Sequence, residues 1–188
     1  IARKPKEALW YEEARYYLLL FFGAAALIAW NIRGYYGNIA EAFHHALFQV
    51  ASLGSTTGFS TTDFDKWPEF SKAILLVIMA IGACAGSTGG GFKVSRILVL
   101  VQDMRRELLR VVHPQIVKKP HLEGRVVDDE TVSSIHSYLI IYLVVCLVSF
   151  LLLSLDKYDL TTNLSAVLAN LNNVGPGFHA VGPTCNYS

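Results

Sequence analysis

Charge is scarce in this sequence, and so is cysteine. Only 16% of the 188 residues are charged, while 53% are hydrophobic, and an ordinary soluble domain carries more charge than this. The net charge of +1 offers little attraction for a polyanion, so we expect no nucleic-acid partner. The three cysteines do not form a framework. Cys84 and Cys146 lie in apolar runs, where a small buried hydrophobe is the favoured role, and Cys185 is isolated.

Catalytic and cofactor motifs are missing as well. No nucleophile–base pair and no cluster of metal-ligating residues stands out, so we predict that the chain is not an enzyme and holds no cofactor. His44 and His45 would point about 100° apart on a helix, which favours packing over a shared metal. The first residues mix charges and aromatics, unlike a signal peptide. They begin at Ile1 without a Met, so we expect part of a longer protein.

Long apolar runs are what the sequence has in abundance. One extends from Tyr16 to Ile32 and another from Ile135 to Leu155, and each is close to the ~20 residues of a membrane-spanning helix. Trp30 lies near one end of the first run, where aromatic belts sit. A buried helix of a large soluble protein is the alternative. The recurrence of such runs favours an all-α membrane protein in a lipid bilayer.

Two shorter segments, residues 38–54 and 159–172, have helical patterns but are only about half a bilayer deep. A half-helix that re-enters on the side it came from must be enclosed by protein, because unpaired backbone cannot face lipid. A glycine-containing loop follows each segment: Thr56-Thr57-Gly58-Phe59-Ser60 and Asn173-Val174-Gly175-Pro176-Gly177.

A third apolar run starts at Phe70 and is interrupted by the glycine-rich residues 86–91, after which a helical pattern resumes from Phe92 to Val112. The GSTGGG sequence of the interruption is a poor helix in any solvent. One helix over the whole stretch would be far longer than a bilayer needs. We therefore predict a span that breaks at the glycines, with a merely kinked helix as the alternative.

The glycine-rich interruption is not a phosphate-binding P-loop. Phe92 separates Gly91 from Lys93, so the spacing of the P-loop motif fails. For Lys93 and Arg96, snorkelling to the membrane interface is favoured over sensing the field of an ion.

The chain repeats itself at a shift of 117 residues, from Thr56 to Asn173. Each unit predicts a spanning helix, a half-helix, a glycine-containing loop and a returning helix. The partner of the returning helix at Phe70 should begin near residue 187, so we expect the second unit to be truncated. The predicted divisions are residues 1–113 for the first unit, 114–130 for a polar linker and 131–188 for the second, with Thr131 as the cap of the next helix.

Basic residues predict the orientation of these units. If each unit is a hairpin, all Lys and Arg except Arg33, Lys66, Lys72 and Lys157 lie on one side, which is then cytoplasmic. The two glycine-containing loops would descend from the outer face. Three acidic residues near the first loop could concentrate cations at the outer mouth or belong to an ordinary solvated loop: Asp63, Asp65 and Glu69.

Main-chain carbonyls exposed by such loops can replace the water shell of a potassium ion. Both loops align, glycine to glycine, with the T-V-G-Y-G filter of potassium channels. Two loops form only half of a ring that normally needs four, so the rest must come from elsewhere. The predicted filter residues are Thr56, Thr57, Gly58, Asn173, Val174 and Gly175, with potassium, the substrate, held at Thr56, Thr57, Asn173 and Val174.

The sequence resembles the C-terminal half of the potassium uptake proteins of the Trk/Ktr/HKT superfamily. The matching stretches are STTGFSTTDFDKWP, IGACAGSTGGGFKVSRILVL, RRELLRVVHP and LNNVGPGF, and together they span nearly all of the chain from residue 43 on. The resemblance implies four helix–pore–helix repeats, of which this chain would hold the third and most of the fourth. It also implies a bacterial inner membrane, a homodimer and a cytoplasmic nucleotide-binding TrkA-type subunit.

By the same resemblance, the loop below the filter gates permeation; its residues are Gly86, Ser87, Thr88, Gly89, Gly90 and Gly91. Two functions remain open at this point. The first is potassium uptake, passive or coupled to another ion by symport. The second is a membrane scaffold or regulatory binding subunit whose pore loops do not conduct.

Overall fold

A computed structural model describes residues 11–112 and 119–185, and these are predominantly helical. The helices, in chain order, are α1 (Glu12–Ile32), α2 (Ile39–Gly54), α3 (Glu69–Ile81), α4 (Val94–Val112), α5 (Asp129–Leu153) and α6 (Leu160–Leu171). Single turns of 3-10 helix lie at Phe64–Lys66 and His179–Val181. The predicted helical architecture is confirmed, including both short helices, which end within one residue of their predicted limits.

Within residues 11–112 and 119–185, two helices are long and apolar enough to cross a membrane. Helix α1 has 21 residues and a mean hydropathy of 1.4, and α5 has 25 residues and a mean hydropathy of 2.4. Only 6% of the most apolar part of α5 is buried, against 28% for α1. The apolar side chains of α5 therefore need a lipid environment or further protein around them.

The main core lies between α1, α2 and α3. Small side chains recur on α2 at a helical spacing, with Ala42, Ala46 and Val50 fully buried, so the three helices can approach closely. Ala25 and Ile28 of α1 pack into the same cluster. A smaller cluster, built around Phe92 and Val99, joins α4 to α5.

Helices α3 and α4 are separated by a loop whose two ends are joined by backbone hydrogen bonds. Helix α4 begins at Val94, two residues later than predicted, because Phe92, Lys93 and Val94 donate backbone hydrogen bonds to the end of α3 and to a residue just after it. Their acceptors are the carbonyl oxygens of Ala80, Ile81 and Ala83, at 3.1, 2.9 and 3.3 Å. At the same place a side chain on Gly82 or Gly91 would overlap the other residue's backbone. The glycines thus produce a break in the helical path, and the alternative of a merely kinked helix is wrong.

The start of α5 differs from the prediction. The helix begins at Asp129, with Asp128 at the N-cap position. Thr131 does not cap it; its hydroxyl instead donates a hydrogen bond to the Asp128 carboxylate. The predicted cap was wrong because the helix begins two residues before Thr131, and Asp128 takes the N-cap position without a side-chain cap hydrogen bond.

The region predicted as a plain polar linker contains a small antiparallel hairpin of β1 (His121–Leu122) and β2 (Arg125–Val126). Several predictions fall outside the described residues. These are the basic residues Arg3, Lys4 and Lys6, the helix end at His113-Pro114, and Lys118 of the linker.

Candidate functional site

The two glycine-containing loops leave their half-helices in the same way. After α2, the backbone N–H of Thr57 donates to the carbonyl oxygen of Ser52 at 2.8 Å. After α6, the backbone N–H of Val174 donates to the carbonyl oxygen of Ala169, also at 2.8 Å. Each pair lies 117 residues from the other, so the internal repeat extends to individual hydrogen bonds.

The backbone angles of the loops repeat as well. Thr56 and Asn173 have φ values of 57° and 53°, and Gly58 and Gly175 have φ values of 78° and 106°. Left-handed backbone is accessible to asparagine but unusual for a β-branched threonine. In each loop, two left-handed residues are separated by one other residue. They turn the backbone away from the preceding helix, so its carbonyl groups no longer point along a helical hydrogen-bond pattern.

The two loops touch each other. A Cβ on Gly58 would overlap the carbonyl oxygen of Val174, and it would lie 3.2 Å from Cδ of Pro176. The structure thus brings the six predicted filter residues together in two adjoining loop segments. Thr57, Asn173 and Gly175 are exposed, Thr56 and Gly58 are half-buried, and Val174 is buried.

A second set of contacts joins the residues that directly follow the two loops. The rings of Phe64 and Phe178 meet edge to face with centroids 5.3 Å apart, and both side chains are fully buried. The backbone N–H of His179 donates to the Asp65 carboxylate at 3.1 Å. These contacts hold the loops in register without using the filter residues themselves.

The glycine-rich loop meets the ends of both half-helices. A Cβ on Gly89 would lie 2.9 Å from Oγ1 of Thr56, and a Cβ on Gly90 would overlap the carbonyl oxygen of Asn172. Gly86 has open space around its Cα. The contact is therefore made by the second half of residues 86–91, and at Gly90, which faces backbone atoms, only glycine fits.

Two side chains hold the glycine-rich loop in place. Nζ of Lys93 donates to the carbonyl oxygens of Ser87, at 3.1 Å, and Gly89, and lies 3.0 Å from Oγ of Ser87. Oε1 of Glu13, in the first turn of α1, accepts the backbone N–H groups of Ala85 at 2.6 Å and Ser95 at 3.0 Å. Glu13 thus joins α1 to both ends of the break in the helical path.

Both of the cations expected to snorkel contact groups of the protein. Lys93 turns into the loop, and the guanidinium of Arg96 lies 4.0 Å from the centroid of the Tyr138 ring. Snorkelling of these two side chains stays a prediction. The ammonium of Lys93 contacts neutral oxygens, and the guanidinium of Arg96 contacts an aromatic face.

Sequence reasoning did not find the polar pair behind the second loop. Asn172 is fully buried, and its side-chain amide exchanges hydrogen bonds with the hydroxyl of Tyr142 on α5 at 3.0 and 3.1 Å. A polar residue directly before the loop and a tyrosine inside the most apolar run were the available signals. The sequence contained no signal for the role of Glu13, because its partners are backbone groups more than 70 residues away along the chain.

The three acidic residues near the first glycine-containing loop have local partners. Asp63 pairs with Lys66 at 3.2 Å, and Glu69 pairs with Lys72 at 2.8 Å. The pKa of Glu69 is lowered, mainly by the hydrogen bond from Lys72 and then by its charge. Neutralisation by these partners reduces the field that the acids could offer to an incoming cation.

The paired histidines pack with their neighbours. Nδ1 of His45 lies 3.1 Å from Oγ1 of Thr61, and its ring stacks on Tyr36 with centroids 5.0 Å apart. Within residues 11–112 and 119–185 no group of three or more His, Cys, Asp or Glu side chains is placed to hold a metal ion.

Comparison with known proteins shows the family of this chain. The sequence profile of the TrkH family, described as cation transport proteins, matches residues 32–186. The chain belongs to the TrkH family. It is 43% identical over 141 residues to the Trk system potassium uptake protein TrkH of Vibrio parahaemolyticus and 37% identical over 155 residues to that of Escherichia coli K12. These matches cover 75% and 82% of the chain.

The structural comparison agrees with the TrkH assignment. The crystal structure of the potassium transporter TrkH from Vibrio parahaemolyticus superposes with a TM-score of 0.86 and 37% identity over 94% of this chain and 38% of that one. The prediction of an all-α membrane protein is thereby confirmed. The chain spans about a third of the length of the relatives it matches, 29% and 32% of the two uptake proteins.

Proposed function

We propose that this chain supplies two of the four walls of a potassium pathway in a transporter of a bacterial inner membrane. The observation that carries the proposal is the contact between two loops with the same backbone, at Gly58 and Val174. The proposed units are those predicted from the sequence: residues 1–113 and 131–188 as two helix–pore–helix repeats, joined by a linker at 114–130. The relatives are named as potassium uptake proteins, which supports potassium as the substrate.

Backbone carbonyls carry the chemistry of the proposed filter. Oxygen atoms of Thr56, Thr57, Asn173 and Val174 would take the place of water around a dehydrated K⁺, and the remaining walls would complete the ring. Gly58 and Gly175 permit the left-handed angles at which successive carbonyls can face the same axis. No side-chain charge is needed at the site, so the ion remains free to leave.

The glycine-rich loop is the proposed gate of this pathway. It lies against the ends of both half-helices through Gly89 and Gly90. An ion that leaves the filter on that side would meet this loop next. We further propose, from the family resemblance, a homodimer and a cytoplasmic nucleotide-binding TrkA-type subunit, for which the linker side of the molecule is the accessible face.

Substitution of the filter glycines tests the proposal in the complete transporter. Gly58→Ser and Gly175→Ser force a side chain into left-handed backbone, which costs about 1–2 kcal/mol, so we expect K⁺ over Na⁺ selectivity to fall by about tenfold. Gly58→Ser should have the larger effect, because its Cβ also meets Val174. The measurement is the K⁺/Na⁺ flux ratio in liposomes, together with growth on limiting potassium.

Gly37→Ser is the matched control, because Gly37 lies in a loop with open space around it and has no left-handed angle. Unchanged flux ratios in both filter variants, with a control that behaves the same, would exclude the filter. A folded protein that moves no K⁺ at all would favour the alternative of a scaffold or regulatory subunit.

A further inference from the structure

The residue directly before each glycine-containing loop occupies the same backbone position. Ser55 is the C-cap of α2, with φ −87° and ψ 0°, and Asn172 is the C-cap of α6, with φ −98° and ψ 4°. Their backbone N–H groups donate to the carbonyl oxygens of Ala51 and Leu168, at 2.9 and 3.1 Å. At this position the two units therefore share a backbone conformation and differ in the side chain.

The first loop is held by a side-chain bond of its own. Oγ of Ser55 lies 2.7 Å from Oγ1 of Thr57, and it donates to the carbonyl oxygen of Ala51 at 2.6 Å. Because a hydroxyl has a single proton, Thr57 is the donor in the bond between the two side chains. This bond, the brace of the first loop, bridges the left-handed residue Thr56 and connects the loop to the end of α2.

The second loop cannot form this bond. Val174 stands where the first loop has Thr57, and a valine has no hydroxyl. The side chain of Asn172 turns instead to α5, where its amide exchanges hydrogen bonds with the hydroxyl of Tyr142. This pair is the brace of the second loop. The residue of α1 that corresponds to Tyr142 in the repeat is Ala25, which is fully buried and has no polar side chain.

Burial makes the second brace sensitive to a single atom. Asn172 is fully buried, and a buried amide that loses its partner keeps the cost of its desolvation without compensation. Asn172 directly precedes the left-handed Asn173, so a rotation that lets the amide find another partner would also turn the peptide group that follows. The hydroxyl of Tyr142 thus restrains the backbone that leads into the proposed filter.

We propose that Tyr142 is a positioning residue of the potassium pathway and that its hydroxyl contributes to K⁺ over Na⁺ selectivity. It acts through Asn172, which fixes the direction of the carbonyls of Asn173 and Val174. An unrestrained loop would let these carbonyls close in on the smaller Na⁺. The proposal rests on the proposed function, since it assumes that these carbonyls coordinate K⁺. It adds the spanning helix against which the second loop is held.

Removal of one oxygen atom tests the brace in the complete transporter. Tyr142→Phe keeps the ring and removes the hydroxyl, so we expect the K⁺/Na⁺ flux ratio in liposomes to fall by about fivefold, the change that corresponds to one hydrogen bond. Backbone hydrogen exchange in residues 172–175 should become faster as well. If Tyr142 only stabilised the fold, K⁺ and Na⁺ flux would instead fall together and the ratio would stay constant.

Tyr138→Phe is the matched control and should leave both the flux ratio and the exchange unchanged. Tyr138 lies one turn earlier on α5 and makes contacts through its ring. That ring stacks on the ring of Tyr142, with centroids 6.4 Å apart, and its centroid lies 4.0 Å from the guanidinium of Arg96.

The brace of the first loop can be transplanted to the second as a rescue. In the Tyr142→Phe background, Asn172→Ser and Val174→Thr place a serine and a threonine at the positions equivalent to Ser55 and Thr57. We expect the flux ratio to return toward the wild-type value. Without Val174→Thr the serine lacks its threonine partner, so that variant is the control and should keep the low ratio. Because both variants lack the buried amide, they also serve if Tyr142→Phe alone does not fold.

Two results would overturn the brace. The first is a wild-type flux ratio or wild-type exchange in folded Tyr142→Phe, and the second is an equal flux ratio with and without Val174→Thr. Failure of the proposed function is recognised separately, because Gly58→Ser and Gly175→Ser would then leave the ratio unchanged as well. If the glycine variants lower the ratio and Tyr142→Phe does not, the brace alone is wrong.

Discussion

Single polar side chains fix the ends of the half-helices, and Asp159 shows this most clearly. Its carboxylate is the N-cap of α6, accepting the backbone N–H of Thr162 at 3.2 Å and the hydroxyl of the same residue. Nδ1 of His179, which follows the second glycine-containing loop, lies 3.0 Å away. The pKa of Asp159 is lowered below its ordinary value of 3.8, chiefly by the Thr162 hydroxyl and also by the Thr162 N–H and His179, against an opposing effect of burial.

Substitution of Asp159 should reveal both the cap and its charge. Asp159→Ala removes the cap, so we expect a loss of about 1 kcal/mol and a lower thermal unfolding midpoint in detergent at pH 7. Asp159→Asn keeps a capping oxygen, so its loss at pH 7 should be smaller. Because the folded-state pKa is depressed, the charge of Asp159 stabilises the fold above its ordinary pKa, and this contribution disappears as pH falls through the lower folded value.

The pH dependence gives the discriminating measurement. When the pH is lowered from 5 toward 3, the thermal unfolding midpoint of the wild type should fall further than that of Asp159→Asn. Asp156→Ala, at an exposed aspartate in the same turn, is the control and should follow wild type. Parallel pH profiles for wild type and Asp159→Asn would show that the carboxylate charge contributes nothing.

Among the elements, the break between α3 and α4 is the one whose shape has the clearest functional meaning. A continuous helix would satisfy its backbone groups internally. Here Gly82 and Gly91 replace that ladder with a closed base, and Glu13 satisfies two further N–H groups from α1. The intervening residues are thereby presented as a loop at the ends of α2 and α6.

Shortening this loop should open the pathway. Deletion of Gly89 and Gly90 removes the residues that lie against Thr56 and Asn172, so we expect several-fold higher K⁺ flux from the complete transporter in liposomes. Deletion of Asp156 and Lys157, in an exposed turn, is the control and should leave flux unchanged. Unchanged or abolished flux in a normally folded loop variant would contradict a gate.

The sequence predicted the helices and the break between them better than it predicted the side-chain contacts that stabilise them. Apolar periodicity located α2 and α6, and the glycines located the break, because both signals are local. The contacts of Lys93 and Glu13 depend on backbone groups brought together by the fold, so no spacing indicates them. The hairpin at His121–Val126 was missed because its strands have two residues each, too short for any alternation to appear.

At the scale of the whole molecule, the surface is what distinguishes this chain from a self-contained domain. Large hydrophobic side chains are exposed along α5, among them Ile140, Leu147 and Leu152. They lie around the helix rather than on one stripe, so both lipid and further protein would be needed to cover them. The proposed filter has the same character, because two walls cannot enclose a dehydrated ion.

The 188-residue chain by itself should therefore not conduct. Reconstituted alone in liposomes, it is expected to show helical circular dichroism but no K⁺-selective flux, because half of a carbonyl ring cannot replace the hydration shell of the ion. The complete transporter, reconstituted in parallel, is the positive control. Selective K⁺ flux from the isolated chain would mean that copies of it assemble the missing walls.

The repeat at Thr56 and Asn173 also has a consequence for how the two halves could have diverged. The residues differ at the first two proposed filter positions, yet the sign of φ and the hydrogen bonds after each half-helix are the same. If selection acts on the direction of the backbone carbonyls, the residue type can change at any position where the backbone angle is retained. Traces of an ancient gene duplication should therefore persist longer in the pattern of left-handed residues than in sequence identity between the halves.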